Sequence, residues 1–174
     1  MELKEGNIRL RPFRLEDKER LVELGNNKNI SDNLTDGFPH PYTLDAAIKF
    51  IDESLKNDPI RRFAIEEDGV YVGNIGLHPS DDIYRFNAEI GYFIGEPYWN
   101  RGIATKAINI MCKYGFEVMK LKRIHAGVFA YNPTSRHVLE KCGFEFEGTF
   151  KKGLFKKDEF HDEFRYALVN NDSV

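Results

Sequence analysis

The residues best suited to chemistry lie in one stretch, Gly95-Glu96-Pro97-Tyr98-Trp99-Asn100-Arg101-Gly102-Ile103-Ala104-Thr105-Lys106-Ala107. Upstream, Ala88-Glu89-Ile90-Gly91-Tyr92-Phe93-Ile94 is aromatic and β-branched and reads as a strand. Downstream, Ala104, Ala107, Ile108, Met111, Cys112, Gly115, Phe116 and Met119 recur at helical spacing. A strand therefore runs into a tight turn that opens a helix with small residues. The first amides of a helix have no internal acceptor and carry partial positive charge, so they bind phosphate. Gly102 and Ala104 clear the approach and Arg101 adds a full charge. The backbone of Arg101, Gly102, Ile103, Ala104 and Thr105 is the candidate cradle. An ordinary strand-to-helix turn carries the same local pattern, so the phosphate reading needs support from elsewhere in the chain.

The elements that must position this turn follow from the rest of the chain. Its 174 residues, 41% hydrophobic and 30% charged, suit one folded domain with its own core. A net charge of −3 gives no reason to expect nucleic acid as a partner. No apolar run approaches a membrane span, and Met1-Glu2-Leu3-Lys4-Glu5 lacks the pattern of a signal peptide. Cys112 and Cys142 each fall on the apolar stripe of a predicted helix, as buried reduced thiols do, so a cytoplasmic location is expected.

Ile8–Phe13 alternates and reads as a first strand; Glu16 and Asp17 open a helix with Leu21 and Leu24 inside and Gly25 at its end. A polar, Gly- and Pro-rich segment runs from Asn26 to Tyr42, with room for a short helix near Ile30–Leu34. Thr43 caps the next helix, which ends at Asn57-Asp58-Pro59. Arg62–Glu66 and Tyr71–Leu77 form a hairpin about Asp68-Gly69, followed by a polar turn over Pro79–Arg85. After the strand, turn and helix described above come a strand over Arg123–Val128, a short helix capped by Asn132 or Thr134, and strands over Phe144–Phe150 and Glu163–Leu168. The order is β-αα-βββ-α-β-α-ββ, one α/β domain over 1–174 with a mixed sheet and a core over about 8–168.

The chain resembles the GCN5-related N-acetyltransferases (GNAT), and within them the branch that contains the ribosomal-protein N-terminal acetyltransferases. The family signature Gln/Arg-x-x-Gly-x-Gly/Ala stands here as Trp99-Asn100-Arg101-Gly102-Ile103-Ala104, with Trp at the first position, as is usual in that branch. Asn132-Pro133-Thr134-Ser135 with Glu140-Lys141-Cys142-Gly143-Phe144, the opening Ile8-Arg9-Leu10-Arg11-Pro12 and the Phe38-Pro39-His40-Pro41-Tyr42 segment also match. The resemblance implies a GNAT fold whose sheet splays into a V-shaped cleft, with acetyl-CoA as cosubstrate. Its pyrophosphate would lie on the Arg101–Thr105 amides and its pantetheine arm along the backbone of Tyr92, Phe93 and Ile94, with Asn132 near the thioester.

Acetyl transfer needs a neutral amine, an oxyanion donor and a proton for the departing thiolate. A strand amide near Tyr92 is the candidate donor. Alternation puts Glu89, Gly91 and Phe93 on one face, which makes Glu89 the candidate base, acting directly or through an organised water. The Tyr that many family members use for the thiolate is absent, because its position holds Leu139. The closer branch points instead to Ser135 as the group that contacts the sulfur, with Tyr131 as the second candidate. The five histidines stand apart from other ligand types except at His161-Asp162, so no metal is expected. Acidic loop residues (Asp36, Asp81, Asp82, Asp158, Glu159, Asp162) suit a cationic acceptor. An α-amine, with a reference pKa of about 7.7–8 against about 10.4 for lysine, fits a carboxylate base best. The expected acceptor is therefore a protein or peptide N-terminus. The alternatives are a small amine (polyamine, aminoglycoside or amino acid) and a non-catalytic acyl-CoA-binding module. A monomer or homodimer is expected, with neither nucleic acid nor membrane as partner.

Overall fold

The computed structural model describes residues 3–171. Met1 and Glu2, part of the N-terminal reading above, and residues 172–174 at the end of the expected domain lie outside the described residues. The elements are β1 (Lys4–Glu5), β2 (Ile8–Arg11), α1 (Lys18–Gly25), α2 (Lys28–Ser31), α3 (Leu44–Leu55), β3 (Arg62–Glu67) and β4 (Val70–Pro79). They continue with β5 (Asn87–Ile94), α4 (Ile103–Glu117), β6 (Arg123–Phe129), α5 (Pro133–Lys141), β7 (Glu145–Lys156) and β8 (Glu159–Val169). The sheet order is β1-β2-β3-β4-β5-β6-β8-β7, with β5 and β6 parallel and β2–β3, β3–β4, β6–β8 and β7–β8 antiparallel. This is the mixed-sheet α/β architecture that the sequence implies. The chain divides into two compact units, Met1–Gly76 with Tyr92–Met111 and Leu77–Gly91 with Cys112–Val174. The divisions fall inside β4, β5 and α4.

In the first unit Phe13, Leu21, Leu24, Ile30, Tyr42, Ala47, Ile51, Ala64, Tyr71 and Phe93 form one buried cluster. The Thr43 hydroxyl accepts the Ala46 amide at 3.2 Å and starts α3, as its residue type predicts. Asp17 does more than open a helix. It lies at the end of a 3-10 turn, and its carboxylate takes a bidentate pair of bonds from Arg11, both 2.7 Å. Arg11 also donates to Glu66, and all three side chains are buried. Burial alone would raise the Asp17 carboxyl, but the Arg11 bonds and the Arg14 amide hold it below the usual carboxylate range. The expected short helix near Ile30–Leu34 lies slightly earlier, over Lys28–Ser31, where the Asn27 side chain caps it at the Asn29 amide.

In the second unit the ladder Ile124↔Leu168, Ala126↔Tyr166 and Val128↔Phe164 sets one face of the sheet. Both helices of this unit pack there. Gly115 of α4 lies close to Leu77 and Ile124 with no room for a side chain, and the Tyr166 hydroxyl of β8 donates to Glu140 of α5 at 3.0 Å. The other face carries Glu89, His125, Gly127, Glu163 and Arg165. The last hairpin is longer than expected. β7 runs on to Lys156 and turns at Lys157-Asp158, both at positive φ (53° and 60°), before β8 starts at Glu159. Shifts in register between Phe146 and Gly148, and again between Phe150 and Leu154, break its alternation, which is why the sequence pattern stops short. Cys112 is buried, with its thiol pushed up to about 12 mainly by burial, whereas Cys142 is only half-buried, less than expected; no disulfide joins them.

Candidate active site

The turn before α4 is built by left-handed backbone. Asn100 (φ 60°) and Gly102 (φ 74°) reverse the chain so that α4 can start at Ile103. The Lys106 amide bonds the Gly102 carbonyl at 3.3 Å, so the amides before Lys106 precede the first helical bond. Among the described residues, a Cβ on Gly102 would meet nothing within 4 Å. Open space, donor amides and a positive φ make a site that fits a phosphate group.

Side chains tie the turn down. The Trp99 indole N–H donates to the Ile94 carbonyl at 2.6 Å, which joins the end of β5 to the turn. This gives a physical role to the residue that departs from the family signature. The Arg101 guanidinium does not stand free beside the amides. It pairs with the buried Glu67 carboxylate at 2.9 Å and lies 5.6 Å from the centre of the Tyr98 ring. Its charge is therefore largely compensated, and the attraction for an anion rests on the backbone. Lys106 Nζ reaches Asn7 Oδ1 at 3.0 Å.

Of the three residues upstream, Tyr92 is half-buried and Phe93 and Ile94 are buried, with the Phe93 ring 5.2 Å from that of Phe38. The Phe93 and Ile94 side chains are packed into the core, which leaves their backbone as the part a ligand can address. β4 comes very close here. A Cβ on Gly73 would overlap the Phe93 carbonyl oxygen and lie 3.0 Å from Ile94 Cα, so only glycine fits. The Gly95 amide bonds the Val72 carbonyl at 2.8 Å.

The second unit holds Glu89, Asn132 and Ser135. Asn132 caps α5: its Oδ1 accepts the Ser135 amide at 3.1 Å, and its own amide donates to the Phe129 carbonyl at 2.9 Å. Its Nδ2 takes no part in these two bonds. Ser135 is half-buried in the first turn of α5. Tyr131 is exposed, stacked on Phe129 at 4.8 Å and edge-on to His161 at 5.1 Å. Asp162 accepts the Lys152 amide at 2.8 Å, so the His161-Asp162 pair packs the hairpin.

Glu89 is exposed and stands directly across from His125 in the parallel β5–β6 pairing, which covers Asn87–Glu89 and Arg123–His125. Burial pushes the His125 imidazole down; Glu89 opposes this, and Arg165 and Arg123 add to it. The first unit thus holds Tyr92–Ile94 and Arg101–Thr105, and the second holds Glu89, Asn132 and Ser135. Sequence reasoning missed Glu163 and Arg165, which share the sheet face of Glu89. The available signal was Gly127, a glycine in mid-strand that clears space for a neighbour. Among the described residues, no cluster of three or more His, Cys, Asp or Glu could hold a metal ion. No described helix is long and apolar enough to cross a membrane.

Residues 7–145 match the family model described as the acetyltransferase (GNAT) domain. The chain belongs to the GNAT acetyltransferases. The spermidine N(1)-acetyltransferase of Escherichia coli (strain K12) is 27% identical over 166 residues, 95% of this chain and 87% of that protein. A candidate ribosomal N-acetyltransferase of Bacillus subtilis, YdaF, is 36% identical over 105 residues, 60% of this chain and 57% of that protein. Among solved structures, spermidine N-acetyltransferase from Vibrio cholerae in complex with CoA and spermine superposes with a TM-score of 0.81 at 26% identity, covering 95% of this chain and 96% of that one. The enzyme transfers the acetyl group of acetyl-CoA to an amine, and the binding-only alternative falls away. The narrower ribosomal branch is not singled out, because relatives named for polyamines and for ribosomal proteins both match.

Proposed function

We propose that the acceptor of this acetyltransferase is a small polyamine-type amine rather than a protein N-terminus. The observation that carries this reading is likeness over the whole chain: relatives named for spermidine cover 95% of it at 26–27% identity, whereas the ribosomal candidate aligns over 60% and the solved ribosomal-protein acetyltransferases that cover 97–99% are 18–19% identical. The exposed Glu89 carboxylate supports it, since a cationic acceptor is drawn to such a group. In this reading the Arg101–Thr105 amides hold the pyrophosphate, and the Tyr92–Ile94 backbone and Asn132 Nδ2 position the arm that carries the thioester. Glu89 takes a proton from the amine, and Ser135 solvates the sulfur as it leaves. Acetyl-CoA supplies the activated acetyl group.

Free-thiol release from acetyl-CoA, followed across spermidine, spermine, single amino acids, an aminoglycoside and peptides with free N-termini, tests the proposal. The expected result is a kcat/KM for spermidine or spermine at least tenfold above that of any peptide. A peptide with the highest kcat/KM would overturn it and return the acceptor to the α-amine class.

A further inference from the structure

Glu163 is the largest chemical resource on the Glu89 face that the reaction above leaves unused. It is only 5% exposed, although it lies on the face opposite α4 and α5. One glycine makes its niche. A Cβ on Gly127 of β6 would overlap Glu163 Oε1, whereas one on Gly153, in the bulge of β7, would lie at ordinary contact distance, 3.5 Å, from Oε2. The niche therefore exists because Gly127 lacks a side chain. The cation beside it is Arg165, with Nε 3.2 Å from Oε1. That contact is an ion pair without an aligned hydrogen bond, since Arg165 Nε is a buried donor with no acceptor in line among the described residues. The guanidinium also lies 4.9 Å from the Phe150 ring centre and 3.5 Å from His125 Nδ1, so it has other places to rest. Burial pushes the Glu163 carboxyl up against the pull of Arg165, and the charge of Glu89 adds to the rise. A buried carboxylate with one loosely aligned partner gains from a second cation.

The register fixes its distance from Glu89. Glu89 faces His125 across one strand spacing, and Gly127, whose missing Cβ the Glu163 carboxylate replaces, is two residues further along β6. With about 4.8 Å between strands and about 6.6 Å per two residues, the Glu89 backbone and the niche at Gly127 lie roughly 8 Å apart. An extended chain of three or four methylenes holds two nitrogens roughly 5–6 Å apart, and the flexible Glu89 side chain spans the difference.

We infer that Glu163 is a specificity-determining residue, which takes the second ammonium of a diamine or polyamine acceptor in exchange for Arg165 while the amine to be acetylated stands at Glu89. This rests on the polyamine reading of the acceptor and adds a residue to it. Gly127 is a positioning residue, because it keeps the niche open. A monoamine of the same length would lack this contact.

The test compares 1,3-diaminopropane and spermidine with n-propylamine as acceptors, for the wild type, Glu163→Gln and Gly127→Ala. Expected is a wild type that prefers the diamine and both variants losing at least tenfold in the ratio of kcat/KM, diamine over monoamine, mainly through acceptor KM. If the wild type prefers the diamine and both variants keep that ratio, the assignment of Glu163 is overturned and the polyamine reading stands. If the wild type shows no preference for diamines, both are overturned. Thermal melts of each variant show whether the comparison is made on folded protein, and Gly127→Ala keeps the carboxylate itself intact should Glu163→Gln fail to fold.

Discussion

Gly73→Ala probes the link between packing and cofactor binding. The added methyl would overlap the Phe93 carbonyl oxygen and sit 3.0 Å from Ile94 Cα, both backbone atoms of β5. Carbon atoms rest at about 3.5–4.0 Å, so β4 and β5 must part locally by roughly 0.5–1 Å. Forcing extra volume into a packed site costs about 1–3 kcal/mol, from which the entropy gain of replacing glycine recovers about 0.4–1 kcal/mol. A net loss of about 1–2 kcal/mol in a chain of this size lowers Tm by roughly 2–8 °C. The Gly95–Val72 hydrogen bond at 2.8 Å lies next to the strain and should loosen with it. If the pantetheine arm pairs with the Tyr92–Ile94 backbone, losing one such bond, about 1 kcal/mol, raises KM for acetyl-CoA roughly fivefold. The assay is a thermal melt with acetyl-CoA titrated at saturating acceptor. Gly37→Ala is the control, because among the described residues its added methyl would meet Thr35 Oγ1 at an ordinary 3.6 Å. A Gly73→Ala protein with the Tm and KM of the wild type would refute the reasoning.

Further outcomes follow from the same contacts. Arg11→Met leaves Asp17 and Glu66 as buried unpaired carboxylates and should cost about 3–5 kcal/mol in urea unfolding at neutral pH. Asp17 is depressed in the fold, so its stabilisation is present above its unfolded value and is lost as pH falls below about 4; that acid loss should shrink in Asp17→Asn. Gly102→Val forces a branched residue to φ 74°, at about 1–2 kcal/mol, and places methyls where the phosphate reading needs space. Its KM for acetyl-CoA should rise at least tenfold, and an unaltered KM would remove the cradle. Glu89→Gln should lower kcat by about 10²–10⁴-fold in the thiol-release assay. Ser135→Ala should lower kcat with KM for acetyl-CoA little moved.

The α4 turn was the most legible part of the chain, because a glycine at positive φ, small helix residues and an apolar strand are all local signals. The capped start at Thr43 was legible for the same reason, and that of α5 was narrowed to Asn132 or Thr134, of which the fold uses Asn132. The Arg11–Asp17–Glu66 triad was not, since each member reads as an exposed polar residue until β2, β3 and the turn at Asp17 are brought together. The β7–β8 hairpin was read short because its bulges interrupt the period of two that marks a strand. Glu163 stayed hidden because its place depends on the absence of a side chain at Gly127, in another strand. Trp99 was legible as a departure from a signature, and its bond to the Ile94 carbonyl is a fact of the fold.

The central claim is acetyl transfer from acetyl-CoA to a polyamine nitrogen. Mass spectrometry of a reaction of the purified protein with acetyl-CoA and an equimolar mixture of spermidine and a peptide with a free N-terminus tests it most directly. The account predicts monoacetylated spermidine formed one for one with free CoA while the peptide stays largely unmodified. Acetylated peptide with intact spermidine, or CoA released with no acetylated amine, would contradict it.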